Sequence, residues 1–241
     1  MSLSSNLAVR WSRISCMHKL FTAPKREQTR SEELANSISH GLGLVGAVLG
    51  ATYLVIQAAR NGKLPFIISA SVFCTAMVAL YFLSTLYHAL PNGKTKQLFR
   101  AIVQAAIFVF IASTYTPFTL GVLYGYWGWA LFFVIWALAT LGVALLFLDK
   151  LSRPLAYNSL YLLMGWLIAI AFGPILAKVP LTGVQLLIAG GLTYTVGVFF
   201  RPPIRLYVTA ILFGTYALSG GLRATILQCS CMPPDTQAYQ G

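Results

Sequence analysis

Residues Ala101–Leu148 read AIVQAAIFVFIASTYTPFTLGVLYGYWGWALFFVIWALATLGVALLFL, and not one of these 48 positions carries a charge. A helix needs about 20 apolar residues to cross roughly 30 Å of hydrocarbon, so the stretch is more than twice the length of one crossing. Its middle supplies the reason to divide it. Pro117, Gly121, Gly125 and Gly128 are interleaved with Tyr124, Tyr126, Trp127 and Trp129. Glycine and proline break helices, and Trp and Tyr collect at the headgroup level of a bilayer. The run is therefore expected to hold two antiparallel spans joined at a membrane surface.

The same gap-counting extends outward in both directions. Spans are expected at about 38–59, 65–89, 101–123, 128–148, 155–177, 181–200 and 205–224, the last of them short. A basic tail occupies 1–33, the seven-helix domain 34–227 and a short tail 228–241. The fold class expected is an all-α integral membrane protein. Composition agrees: 58% of the 241 residues are hydrophobic and 9% charged, with a mean hydropathy of +0.75. Charged groups in a soluble domain come to about 25%, so a water-soluble globule is excluded. Lys and Arg fall 13 to one side of the seven spans and 4 to the other. By the positive-inside rule the N-terminus is expected in the cytoplasm and the C-terminus outside.

The net charge of +12 suggests nucleic acid only in a soluble protein; here the cations sit between apolar runs and are explained by topology, so no nucleic acid is expected. Cys16, Cys74, Cys229 and Cys231 make neither a disulfide framework nor a zinc spacing. Met1 to Arg30 is basic without an apolar core, and no secretory signal peptide is expected there. No Gly-rich phosphate loop, nucleophile elbow or His-Glu-x-x-His motif occurs.

Ionisable groups inside spans are costly and so are functional candidates. His88 ends the second span in Ser84-Thr-Leu-Tyr-His88, where Ser84 and His88 share one helix face. Taken alone, it reads more readily as an interfacial histidine bonded to a neighbouring helix or to water. His40 opens the first span, with Glu33 and Asn36 on the same face; polar end-capping and a functional cluster both stay open. Asp149 beside Lys150 and Arg153 reads as a surface ion pair. Three scattered histidines do not themselves make a zinc site, which wants three converging protein ligands and a water.

Taken together, Glu32-Glu33-x-Ala35-Asn36-Ser-Ile-Ser-His40-Gly41, Ser84-Thr-Leu-Tyr87-His88, Ile111-Ala-Ser-Thr114-Tyr115-Thr116-Pro117-Phe118 and Tyr161-Leu-Leu-Met164-Gly165-Trp166 resemble the hemolysin III family, the bacterial branch of the progestin and adipoQ receptors. The likeness runs in order from about Arg30 to Phe200. It implies seven helices with a cytoplasmic N-terminus, in a bacterial inner membrane, with membrane lipids and no protein partner. It also implies a zinc ion held by the histidine of the Ser-x-x-x-His motif, by two histidines of a His-x-x-x-His motif in the seventh span, and by an aspartate opening the third. Only His88, with Ser84, carries over. Val103-Gln104 stand where the family has Asp-His, and residues 204–222 contain no histidine.

A one-base shift across Ala210–Tyr216 permits His-Pro-Ile-Trp-His-Leu with suitable synonymous codons, so a frameshift is the expected account of residues 201–241. As written, the chain is expected to lack a complete metal site, to bind no zinc and not to be an enzyme. Its function is expected in membrane homeostasis or cytolysis. The alternative, with frame and acid restored, is a zinc-dependent membrane amide hydrolase of the ceramidase kind or a receptor-like protein. A transporter is the weaker third class, since Pro117 and Pro174 are the only breaks available to it.

Overall fold

The computed structural model describes residues 28–61, 64–123, 125–148, 154–179 and 181–199. Among them there is helix and no strand, as a bilayer demands of a chain that must satisfy its backbone hydrogen bonds internally. The elements are α1 (Arg30–Asn61), α2 (Leu64–Ala89), α3 (Lys94–Thr116), a π-helical turn (Pro117–Val122), α4 (Tyr126–Phe147), α5 (Pro154–Trp166), a 3-10 segment (Leu167–Ala171), α6 (Phe172–Lys178) and α7 (Leu181–Phe199). Among the described residues, five stretches are long and apolar enough to cross a membrane: Arg30–Arg60, Leu64–Ala89, Lys94–Val122, Tyr126–Phe147 and Ala156–Lys178. Helix α7 falls where the sixth span is expected, and 205–224 lies outside the described residues, as do the basic tail up to residue 27 and the proposed frameshift.

Contacts divide the chain into Met1–Glu33 and Leu34–Gly241. Within the first unit, the Thr29 N–H donates to Glu32 Oε2 at 2.8 Å and the Glu32 N–H to Thr29 Oγ1 at 3.3 Å. This reciprocal capping box satisfies two of the orphan donors of a helix start. It explains why α1 begins at Arg30, well before the 38–59 expected from the apolar run alone.

Within the second unit, side chains follow the logic of a lipid solvent. Along α1 the buried positions are Asn36, His40, Gly43, Ala47, Leu54 and Ala58, small or polar except for Leu54 and at helical spacing. Leu34, Ile38, Leu42, Val45, Leu49 and Ile56 are exposed. Large apolar groups outward and small ones inward is the arrangement that lets membrane helices approach closely. Gly43 shows the closeness: a Cβ built there would lie 2.6 Å from the Tyr81 ring on α2.

Among the described residues, three apolar clusters form the core. Ala47 and Leu54 pack on Phe73, Cys74, Met77 and Tyr81 between α1 and α2. Phe108, Ile111, Tyr115, Ile135, Ala139, Tyr161 and Met164 join α3, α4 and α5, with the fully buried Phe108 lying against Gly142. Leu123, Leu131, Ala171, Ile175, Val179 and Val184 close the end at which α3 turns into α4.

That turn sits where the glycines and aromatics predict it, though its form is not a simple loop. Pro117 has no N–H to continue the α3 ladder, and the backbone widens instead into a π turn closed by Leu123 N–H on Phe118 O at 2.7 Å. Helix α4 then crosses so closely that a Cβ on Gly128 would lie 2.2 Å from the Thr119 carbonyl oxygen and 2.8 Å from that of Leu123. The Trp136 indole N–H reaches back to Thr116 Oγ1 at 3.2 Å.

Candidate functional site

Within the second unit, His40 of α1 and His88, near the end of α2, come together. His40 is 9% exposed and Asn36 3%, one helical turn apart on the buried face of α1. Ser84 is buried one turn before His88 on α2. The rings of His40 and His88 stack across the two helices with centroids 5.2 Å apart and planes 20° apart. The His88 ring meets the edge of Tyr87 at 4.8 Å, and Tyr81 lies 6.3 Å from the His40 ring. Ser37 Oγ donates to the Thr85 carbonyl at 3.3 Å and ties the helices together at this level. The structure thus brings His40 and His88 together, with the buried Asn36 and Ser84 each one turn away on its own helix. Glu33 stands in the first turn of α1, its N–H on the Thr29 carbonyl at 3.0 Å.

Two contributors were not visible as such in the sequence. Tyr81 follows the same 3–4 spacing as Ser84 and His88, which puts it on their face. Lys96 is by sequence one of the cations between the second and third spans. It is 8% exposed, its Nζ donates to the Leu90 carbonyl at 3.0 Å, and it lies 5.3 Å over the Tyr87 ring. The side chain therefore staples the α2–α3 turn beside His88, gaining a cation–π contact as it does so.

A zinc ion can be tested against these residues. Among the described residues no group of three or more His, Cys, Asp or Glu is placed to hold a metal. His40 and His88 supply two imidazoles, and rings so nearly parallel direct their in-plane lone pairs side by side, a poor arrangement for converging on one ion. On α3, Val103 and Gln104 stand where the resemblance implies Asp-His, and the Gln104 carbonyl accepts from the Tyr161 hydroxyl at 2.6 Å. His40 Nδ1 is buried with no hydrogen-bond partner among the described residues. The described residues do not fit a zinc site, and residues 204–222 lie outside them.

This helical arrangement can be set against known proteins. The family profile described as Haemolysin-III related matches residues 28–202. The chain belongs to that family. Its haemolysin III relatives include the hemolysin-3 homolog of Bacillus subtilis (strain 168), 40% identical over 172 residues that cover 71% of this chain and 81% of that one. Hemolysin-3 of Bacillus cereus is 37% identical over 171 residues, 70% of this chain and 77% of the other. The human monocyte to macrophage differentiation factor is 27% identical over 195 residues, 76% of each chain, a weaker similarity that reaches the progestin and adipoQ receptor branch. No solved structure matches the chain. A haemolysin III membrane protein, built of apolar helices with one polar cluster at a helix end, is what sequence and structure show together.

Proposed function

We propose that the protein acts on the bilayer itself, in membrane homeostasis or cytolysis, as a non-enzymatic haemolysin III protein of the bacterial inner membrane. Its partners are membrane lipids. Its N-terminus lies in the cytoplasm and its C-terminus outside, a reading supported by the division of basic residues, 13 against 4. The observation that carries the functional reading is the His40–His88 stack: the polar cluster gathers two near-parallel imidazoles where zinc hydrolysis needs three converging ligands. The hemolysin name of the Bacillus cereus relative supports a membrane-disturbing role. His88 and Ser84 are what remains of the alternative, a zinc-dependent amide hydrolase.

One preparation tests both. The purified full chain is reconstituted into dye-loaded vesicles of anionic and zwitterionic phospholipid, and its metal content is measured alongside. Dye release that persists in His88→Ala, with well under one zinc per chain, is the expected result. Stoichiometric zinc that is lost in His88→Ala, or cleavage of a ceramide amide by the same sample, would overturn the reading in favour of the hydrolase.

A further inference from the structure

The fifth membrane-spanning stretch is not one helix. Helix α5 ends at Trp166, five residues follow in 3-10 form, and α6 resumes at Phe172. Pro174 lies inside α6, seven residues after the break begins, so proline alone does not place it. The Tyr115 hydroxyl does. This group, buried at the end of α3, donates its one proton to the Met164 carbonyl at 2.5 Å, with the Gly165 carbonyl also in reach at 2.9 Å, and it accepts the Ile168 N–H at 3.0 Å. In an uninterrupted α-helix the Ile168 N–H would bond directly to the Met164 carbonyl. The hydroxyl is therefore inserted into that rung of the ladder, a known cause of a helix break.

A 3-10 helix takes 3.0 residues per turn and about 2.0 Å per residue, against 3.6 and 1.5 Å in an α-helix. Rewinding Leu167–Ala171 into α form would close the Ile168–Met164 rung without the tyrosine. It would also rotate everything beyond by about 100° and draw it back by about 2.5 Å. One residue of an α-helix is also 100°, so the change is a register shift of one residue. At position 175 the side chains suit both settings. Ile175 is fully buried in the cluster with Leu131 and Val184, whereas Leu176 is 51% exposed. After the shift Leu176 takes the place of Ile175, one branched apolar side chain for another. Phe172 would have to enter the fully buried place of Ala171, which disfavours the shifted register alongside the Tyr115 bonds.

We propose that the Tyr115 hydroxyl is a latch on a two-register switch in the fifth span, whose release moves α6 by one residue and puts Leu176 in the buried place of Ile175. The α register also places Pro174 inside a continuous helix, where it has no N–H to offer the Ile170 carbonyl, so the two registers differ by packing, by the latch and by this proline. The switch is independent of the cytolytic and zinc readings.

Cysteine pairs read the register directly. In the full chain with Cys16, Cys74, Cys229 and Cys231 replaced by alanine, Leu131→Cys is combined with Ile175→Cys in one variant and with Leu176→Cys in another. Oxidation in membranes is expected to join the 131/175 pair in preference to 131/176 while Tyr115 is present. Adding Tyr115→Phe, which keeps the ring and removes the hydroxyl, is expected to raise the ratio of 131/176 to 131/175 disulfide about tenfold, the worth of a hydrogen-bonding group of this kind. An unchanged ratio in a Tyr115→Phe protein that elutes as a single folded species overturns the proposal. Should that variant not fold, Phe172→Ala with Tyr115 intact removes the other obstacle and is expected to raise the same ratio; no change there overturns the proposal equally.

Discussion

Replacing Gly128 with alanine tests the close crossing of α4 over the π turn. The Cβ it introduces would stand 2.2 Å from the Thr119 carbonyl oxygen and 2.8 Å from that of Leu123, with ordinary contact beginning at 3.4 Å. Both obstacles are backbone atoms, so neither can swing aside as a side-chain tip would. Helix α4 must move out by more than an ångström, or the turn must be rebuilt. Overpacking of this kind costs about 1–3 kcal/mol, while the better helix propensity of alanine returns at most about 1 kcal/mol. A net loss of about 1–2 kcal/mol is expected. The control is Gly50→Ala on α1, where a Cβ meets nothing within 4 Å and alanine should be neutral or slightly stabilising. The assay is thermal unfolding of both variants in the same mild detergent, followed by loss of the monodisperse peak. Equal midpoints for the two would refute the claim that the α4 crossing depends on a bare Cα at 128.

Three other perturbations separate the roles assigned above. Gly43→Ala drives a methyl into the Tyr81 ring and, by displacing it, is expected to loosen the α1–α2 contact around His40, read as faster hydrogen exchange of the amides near 40 together with a loss of about 1–3 kcal/mol. Tyr161→Phe keeps the ring packed on Phe108 at 4.4 Å but loses the 2.6 Å bond to the Gln104 carbonyl. A loss of about 1 kcal/mol by detergent unfolding is expected, and no loss would show that water or another donor replaces the hydroxyl. His88→Ala is expected to leave the zinc content of the purified protein unchanged and near zero, as measured by elemental analysis.

Much of the helical layout can be read from charge gaps, because in a bilayer a long uncharged run has few other fates. The division of Ala101–Leu148 at its glycines and aromatics is the clearest instance, since the residues that break a helix and those that prefer a headgroup coincide there. Charge gaps fail at helix ends. Helix α3 begins at Lys94 rather than at 101, since Lys94, Lys96 and Arg100 continue the helix past the hydrocarbon without interrupting it. For α1 the missed signal was present in Thr29-x-x-Glu32, a capping box that precedes the apolar run.

In the candidate site, Glu33, Asn36 and His40 share a face by spacing alone, as do Ser84 and His88, but the stack between His40 and His88 depends on how α1 packs on α2. That packing is set by Gly43 and Ala47, small residues whose meaning appears only when the partner helix is present. Nothing around Tyr115 in the sequence announces its role, because the gap its hydroxyl fills lies in the backbone of a helix some fifty residues away. The same holds for the π turn: Pro117 announces a break, and the closing bond to Phe118 decides its shape.

The aromatic rung at the start of α4 fixes a depth. Tyr126 is 85% exposed, with Trp127 and Trp129 about half so, and rings of this kind anchor at the boundary between hydrocarbon and headgroups. Helix α4 runs from that anchor for 22 residues, about 33 Å, whereas α1 has 32 residues and about 48 Å. Among the five stretches long and apolar enough to cross, the shortest is thus the one that is pinned. In a thicker membrane the mismatch is taken up at the Phe147 end of α4, while the longer helices have length to spare.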